Sequence, residues 1–210
     1  MNNQSIKNFL LNTPVLSNIV IFANKVRLTG TLQVAELPQA QKATLILEYA
    51  KKYDCKLFVE TGTYKGDTTN DCKDFFEELY SIELSHDLYV AAAERFAGIN
   101  KIHILEGNSG DLMPMIMEKA TKPTLFWLDA HYSGGETARG PEDSPVVREL
   151  QFIFASKLKH CILIDDARCF NGKAGYPRIS YIRNMIKEIN QKEGRTCKLE
   201  VKRDIIRITQ

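Results

Sequence analysis

The sequence predicts an α/β protein built on a Rossmann-like, doubly wound sheet of seven strands, with a helical extension before it. Short apolar runs alternate with amphipathic segments from about residue 55 onward, as in sheets whose strands are connected by helices. A glycine-bearing loop joins the first of these runs to a helix. The last two strand patterns, residues 197–202 and 205–209, are separated by only two residues, so they can pair only as an antiparallel hairpin.

Length and composition indicate one enzyme-sized domain. The chain has 210 residues, of which 44% are hydrophobic and 26% charged, and its net charge of +2 favours no nucleic-acid partner. The five cysteines include no Cys-x-x-Cys pair, which favours reduced thiols over a disulfide framework or a zinc site. The most apolar early stretch, Val15 to Ala23, is too short to span a bilayer and lacks the features of a signal peptide. We therefore expect a cytoplasmic protein without a membrane span.

Residues 1–50 are predicted to form a helical extension to the domain of residues 51–210. Pro14 can open a first helix that runs toward Arg27, and a second helix follows Pro38. The extension either covers the binding site as a lid or forms the contact of a homodimer. The sequence leaves both interpretations open.

A strand, a glycine-bearing turn and the start of a helix form the stretch around which the domain is organised. Residues 57–59 are a short apolar run, as expected for a strand buried on both faces. Gly62 and Gly66 lack Cβ atoms, so the backbone can turn sharply and a ligand can lie against it. Asp67 or Thr68 can cap the helix that follows.

The charges around this loop indicate which nucleotide cofactor it binds. A dinucleotide places its pyrophosphate at the helix N-terminus, but here that region is crowded by four carboxylates: Glu60, Asp67, Asp71 and Asp74. These acids repel a pyrophosphate and suit the sulfonium and ammonium groups of S-adenosylmethionine (SAM). The Gly-x-x-x-Gly spacing also differs from the Gly-x-Gly-x-x-Gly of dinucleotide sites. The alternative is a strand-to-helix turn with a purely structural role.

The remaining strands and helices follow from the same patterns. An amphipathic helix over residues 68–78 is expected to point Cys72, Phe75 and Phe76 inward. Later strands are predicted at residues 79–84, 102–106, 124–129 and 160–165. Later helices are predicted to begin after Ser85, at Leu112, at Ser144-Pro145 and at Ile179.

The informative polar residues fall at the carboxyl ends of the predicted strands, which is where open α/β sheets bind their ligands. Glu83 ends the second strand, 83 − 62 = 21 residues after Gly62, where an acid binds the ribose diol. Asn108 and Ser109 follow the third strand, where an adenine edge would lie. The alternatives are a solvated carboxylate at Glu83 and a plain turn at Asn108 and Ser109.

Three carboxylates follow the fourth and fifth strands: Asp129, Asp165 and Asp166. Neighbouring strands lie about 4.8 Å apart, so these groups would converge, and like charges that close favour a bound cation. Carboxylate oxygens favour Mg²⁺, which could hold an acceptor hydroxyl and lower its pKa. In the alternative, the acids cap helices and pair with Arg139 or Arg168.

His131 lies two residues after Asp129, at the start of a polar, glycine-rich loop that runs to Asp143. Its imidazole is a candidate general base or metal ligand. The glycines leave the loop free to move over a binding site. The alternative is a loop histidine with no chemical role.

Four motifs, in order along residues 55–210, resemble a family of small bacterial class I SAM-dependent methyltransferases, similar to macrocin-type sugar O-methyltransferases. The motifs are Val59-Glu60-Thr61-Gly62-Thr63-Tyr64 with Gly66-Asp67-Thr68, Tyr80-Ser81-Ile82-Glu83-Leu84-Ser85, Phe126-Trp127-Leu128-Asp129-Ala130-His131-Tyr132-Ser133-Gly134-Gly135, and Ile162-Leu163-Ile164-Asp165-Asp166-Ala167-Arg168. The resemblance adds further residues to the predicted cofactor contacts: Thr63, Tyr64, Thr68, Leu84 and Asp129. The three aspartates resemble the magnesium site of catechol O-methyltransferases, whereas Asn108 departs from the more usual aspartate.

Together these observations predict a SAM-dependent methyltransferase that methylates a hydroxyl of a small molecule or sugar with magnesium assistance. Asp129 and His131 are the predicted catalytic residues. A sugar or nucleotide-sugar acceptor is implied by the resemblance alone. Two alternatives remain: an NAD-binding oxidoreductase, disfavoured by the acid-rich loop and the closing hairpin, and a non-catalytic SAM-binding protein, disfavoured by the intact acid cluster.

Overall fold

The computed structural model describes residues 37–130, 144–173 and 175–210. Seven strands are present in this part of the chain: β1 Leu57–Thr61, β2 Glu78–Glu83, β3 Ile102–Glu106, β4 Thr124–Leu128, β5 Cys161–Ile164, β6 Lys198–Lys202 and β7 Ile205–Thr209. Six α-helices accompany them: α1 Gln39–Lys52, α2 Asp67–Cys72, α3 His86–Arg95, α4 Ser109–Lys119, α5 Val146–Ala155 and α6 Ile179–Glu193. A 3₁₀ turn, Ala167–Cys169, follows β5.

The strands form a single sheet in the order β3-β2-β1-β4-β5-β7-β6. Strands β1 to β5 pair in parallel, and β7 pairs antiparallel with both β5 and β6. The two-residue turn between β6 and β7 consists of Arg203 and Asp204, both with positive φ. The predicted doubly wound sheet of seven strands with a closing antiparallel hairpin is therefore confirmed.

Both faces of the sheet are buried, because alternate residues of each central strand enter different hydrophobic clusters. In β4, Phe126 and Leu128 belong to one cluster, and Leu125 and Trp127 belong to the other. The first cluster also takes residues from α4, α5 and α6, whereas the second takes residues from α1 and α2. This layering leaves the carboxyl ends of the strands as the place where polar side chains gather.

The helix after the glycine loop is shorter than the sequence predicts. It ends at Cys72 instead of residue 78, and Phe75 is 45% exposed, so the expectation that Phe75 points inward is wrong. Phe76 is 2% exposed and stacks on Phe58, as a residue beneath the sheet should. The helix is also not capped by Asp67 or Thr68, because its N-cap is Gly66 and no side chain bonds to the cap.

Two other helix starts differ from the prediction. Helix α4 begins at Ser109 instead of Leu112, because the Asn108 side chain accepts a hydrogen bond from Gly110 N at 2.9 Å and caps the helix there. Helix α5 begins at Val146, with Pro145 in the N-cap position.

The amino-terminal extension is described only from residue 37 onward. Its predicted second helix is present as α1, whereas the predicted helix between Pro14 and Arg27 lies outside the described residues. The prediction that the extension is a lid or a dimer contact is not tested. Among the helices described, none has the length and apolar character needed to cross a membrane.

Candidate active site

The loop after β1 requires glycine at two positions for steric reasons. Gly62 has φ +86°, and a Cβ atom there would lie 2.7 Å from the carbonyl oxygen of Asp129. Gly66 has φ +77°, and its Cβ would lie 2.7 Å from the ring of Phe96. Non-glycine residues rarely adopt such backbone angles. The backbone of the loop is therefore packed tightly between the end of β4 and helix α3.

The Glu60 carboxylate is 1% exposed and connects the end of β1 to α2 and to β2. Its Oε2 accepts hydrogen bonds from Thr69 Oγ1 and Ser81 Oγ, each at 2.7 Å. Because Ser81 donates its only hydroxyl hydrogen to Glu60, Thr63 Oγ1 donates to Ser81 Oγ in the 2.7 Å contact between them. Burial raises the pKa of Glu60 to about 7, while the hydroxyl donors act in the opposite direction. Ser81 and Thr69 were not singled out from the sequence.

Glu83 ties the end of β2 to the same loop. Its Oε2 accepts from Tyr64 N at 2.7 Å, and its Oε1 accepts from Ser85 N at 2.9 Å. Tyr64 has φ +48°, a conformation that this hydrogen bond helps to stabilise, and its side chain is exposed, as is that of Leu84. Each carboxylate oxygen has a second lone pair. Glu83 can therefore accept ribose hydroxyls while it keeps both backbone contacts.

The predicted adenine-side residues are engaged in local contacts. Asn108 caps α4 through its side-chain oxygen. The Ser109 hydroxyl donates to Glu149 Oε1 at 2.6 Å in a buried contact, and burial raises the pKa of Glu149 to about 7. Thr68 Oγ1 accepts from Gln39 Nε2 at 3.2 Å, which connects the helix after the loop to α1. Glu149 was not anticipated because nothing in the local sequence of α5 indicates that it faces Ser109.

The carboxylates after β4 and β5 meet a lysine. Lys42 Nζ contacts Asp165 Oδ2 and lies 3.9 Å from Asp129 Oδ2. Asp166, with φ +55°, instead pairs with Arg168 Nη1 at 2.6 Å. Of the alternative in which the three acids cap helices and pair with Arg139 or Arg168, the structure shows the pairing of Asp166 with Arg168.

The predicted three-carboxylate magnesium set does not fit this arrangement. Asp129 and Asp165 share the ammonium of Lys42, whereas Asp166 is bound to an arginine that also contacts Asp204. Across the described ranges, which omit residues 131–143, no three His, Cys, Asp or Glu side chains are grouped to hold a metal ion. The predicted base His131 and the basic residue Arg139 lie outside the described residues.

Burial and the neighbouring charges shift the pKa values of Asp165 and Lys42. Burial raises the pKa of Asp165 to about 6, and the Asp129 carboxylate adds to this effect while Lys42 opposes it. Burial lowers the pKa of Lys42, but the carboxylates of Asp129 and Asp165 raise it by more, so the net shift is upward. Lys42 therefore remains an ammonium at neutral pH.

Lys42 was missed at the sequence level, although a signal for it exists. It lies three and four residues before Leu45 and Ile46, both of which are buried on α1. Residues at these spacings share one face of a helix. A lysine on the apolar stripe of a helix that precedes the glycine loop is therefore a candidate for a buried charge pair.

The two buried glutamates give an expected pH dependence of stability. Burial raises the pKa of Glu60 and of Glu149 from 4.5 to about 7. Below pH 4.5 both the folded and unfolded states hold these protons. As the pH rises toward about 7, the unfolded chain releases them first, so the free energy of unfolding decreases, by up to about 1.4 kcal/mol per pH unit for each group.

We expect Glu60→Gln and Glu149→Gln to flatten this decline in urea unfolding of the ligand-free protein. Glu94→Gln, which changes an exposed carboxylate, serves as the control and should leave the decline unchanged. An equally steep decline in both of the buried-site variants would contradict the raised pKa values.

Comparison with known proteins identifies solved structures with a similar fold. No protein-family model and no curated protein matches this sequence. Among solved structures, an O-methyltransferase from Bacillus cereus in complex with SAH is similar over 99% of this chain and 96% of its own, with 14% identity and a TM-score of 0.53. A putative O-methyltransferase from Klebsiella pneumoniae is 18% identical over 98% and 93% of the two chains, with a TM-score of 0.53.

The similarity also extends to a methyltransferase of tomaymycin synthesis and to an rRNA methyltransferase. The O-methyltransferase TomG from Streptomyces achromogenes, involved in tomaymycin synthesis and bound to SAM, is 16% identical over 99% and 98% of the two chains, with a TM-score of 0.51. The 23S rRNA methyltransferase ErmE is 15% identical over 84% of this chain and 70% of its own, with a TM-score of 0.53. The chain therefore shares the fold of these proteins, and at such low identity the similarity establishes the fold alone.

Proposed function

We propose that the protein is a SAM-dependent methyltransferase that acts on a hydroxyl group of a small molecule. The observation that carries this proposal is the Glu83 carboxylate, which bonds to the backbone of the glycine loop at the end of β2. An acid in that position can accept the two ribose hydroxyls of an adenosyl group. Asp67, Asp71 and Asp74 follow the loop, with Asp67 paired to Arg95, and this excess of acid favours a cationic cofactor over a pyrophosphate.

The proposed cofactor contacts are those predicted from the sequence. The loop and the end of β2 contribute most of them: Glu60, Gly62, Thr63, Tyr64, Gly66, Thr68, Glu83 and Leu84. The start of α4 contributes Asn108 and Ser109, and the segment after β4 contributes Asp129. Since Glu60 is buried, its proposed contribution is to position the loop indirectly, through Ser81, which bonds to Thr63, and through Thr69 of α2.

In the proposed reaction, the bond between sulfur and methyl carbon breaks as the bond between acceptor oxygen and methyl carbon forms. The sulfonium becomes the neutral thioether of S-adenosylhomocysteine, and the acceptor proton passes to a base. His131 is the proposed base and Asp129 the proposed group that orients the acceptor. Positioning of the two reactants is the main source of rate, worth about 7–11 kcal/mol in the most favourable cases.

Magnesium assistance, predicted from three converging carboxylates, does not enter this proposal. Asp166 pairs with Arg168, and the ammonium of Lys42 lies at Asp129 and Asp165. A sugar or nucleotide-sugar acceptor remains a proposal that rests on the motif resemblance. A homodimer contact or lid formed by residues 1–50 likewise remains a proposal, as does a cytoplasmic location.

Calorimetric titration tests the cofactor assignment. We expect SAM and S-adenosylhomocysteine to bind and NAD to give no heat of binding, because the acid-rich loop repels the pyrophosphate. Methyl transfer is then tested with radiolabelled SAM against sugars, nucleotide-sugars and catechols. Binding of NAD in place of SAM would move the protein to the oxidoreductases. Binding of SAM without transfer to any acceptor would favour the non-catalytic alternative.

A further inference from the structure

Lys42 lies on the side of α1 that faces the sheet. It shares this side with Leu45, Ile46 and Ala50, all of which are buried. Only 19% of its side chain is exposed, and its Nζ lies 5.9 Å from the centroid of the Trp127 ring. Lysine stems often run along apolar surfaces while the ammonium reaches water. Here the ammonium reaches two carboxylates at the strand ends instead.

The buried carboxylate of Asp165 has Lys42 as its cationic partner. Its side chain is 3% exposed, and its Oδ1 accepts a hydrogen bond from Asp166 N at 2.8 Å. Among the described residues, no well-aligned hydrogen-bond donor reaches Oδ2, and the Lys42 ammonium contacts that atom as an ion pair. A buried carboxylate without a cationic partner is strongly unfavourable. Lys42 therefore stabilises the ionised Asp165 carboxylate beside Asp129.

We propose that the Lys42 ammonium is the built-in cation of this site and takes the position at Asp129 and Asp165 that a divalent metal would otherwise occupy. This inference rests on the proposed function insofar as it assigns the site to the acceptor side of a methyltransferase. Lys42 acts as a positioning residue: it balances the charge of the two aspartates and holds the ends of β4 and β5 together. An ammonium donates hydrogen bonds but has no coordination positions for oxygen ligands. An acceptor substrate therefore does not need two neighbouring oxygens, as chelation of a metal ion would require.

Mn²⁺ binding to the full-length protein tests this assignment, with paramagnetic resonance as the readout. Lys42→Met keeps most of the apolar stem and removes the charge, which takes from the buried Asp165 carboxylate the ammonium that contacts its Oδ2, beside Asp129. We expect this variant to bind Mn²⁺ at least about 10-fold more tightly than the wild type, because close carboxylates attract a cation. Lys42→Arg retains a cation and should bind Mn²⁺ as weakly as the wild type. Lys56→Met removes an exposed lysine paired with Asp54 and is the matched control.

Equal Mn²⁺ affinities in the wild type and Lys42→Met, whether tight or weak, would overturn the proposal. If Lys42→Met is too unstable to titrate, the thermal midpoint decides the question. The double variant Lys42→Met/Asp165→Asn should then have a higher midpoint than Lys42→Met, and no gain would overturn the pairing. S-adenosylhomocysteine titration of the wild type is a separate measurement, whose failure would count against the proposed function and leave the Mn²⁺ comparison decisive.

Discussion

Gly62→Ala is expected to lower the free energy of unfolding by about 2–6 kcal/mol. A non-glycine residue held at positive φ costs about 1–3 kcal/mol, and Gly62 has φ +86°. The added methyl group would also lie 2.7 Å from the carbonyl oxygen of Asp129, a backbone atom that cannot move without shifting the end of β4. Overpacking of this kind costs about a further 1–3 kcal/mol. Urea unfolding measures the total.

Gly98→Ala separates the two contributions. Gly98 has φ +82°, close to that of Gly62, but a Cβ atom there meets nothing within 4 Å. This control therefore carries only the backbone cost, and its loss of stability should be the smaller of the two. Equal losses of unfolding free energy in the two variants would show that the steric contact with Asp129 does not contribute to the destabilisation of Gly62→Ala.

Glu83→Ala is expected to weaken the binding of S-adenosylhomocysteine by about 10- to 100-fold, equivalent to about 1.4–2.7 kcal/mol. The variant loses the acceptor proposed for the ribose hydroxyls. It also loses the carboxylate that accepts from Tyr64 N and Ser85 N, so the loop is less well ordered before the cofactor arrives. Isothermal titration calorimetry gives the dissociation constant directly.

Glu106→Ala is the matched control for this experiment. Glu106 is the register partner of Glu83 at the end of the neighbouring strand β3, and its carboxylate contacts His86 on the surface. We expect its removal to leave the dissociation constant within about 2-fold of the wild type, as surface pairs contribute little. Comparable losses in both variants would indicate a general disturbance of the sheet edge and remove Glu83 from the proposed cofactor contacts.

The strands were predictable because their signal is local. A run such as residues 124–128 is apolar on both faces and is bounded by turn-forming residues, so its length and character follow from adjacent positions. The closing hairpin was equally predictable, since two residues between β6 and β7 leave no room for a crossover. The helix after the glycine loop was predicted too long, because Phe75 and Phe76 are equally apolar and only the packing against Phe58 distinguishes them.

In the candidate site too, features set by local sequence were predictable, and features set by long-range packing were not. The strand, the glycine loop and Glu83 at the next strand end followed from the sequence alone, because each depends on backbone geometry within a few residues or on a fixed spacing. The burial of Glu60, which is 1% exposed, did not. The pairs that form between distant elements are visible only in the folded protein: Ser81 with Glu60, Glu149 with Ser109, and Lys42 with Asp165. Such partners come from elements far apart in the chain, and burial makes their charges and hydrogen bonds depend on one another. No local sequence pattern contains this information. The sequence therefore suggested a metal site for the three aspartates, whereas in the structure Asp166 pairs with Arg168, and Asp129 and Asp165 share Lys42.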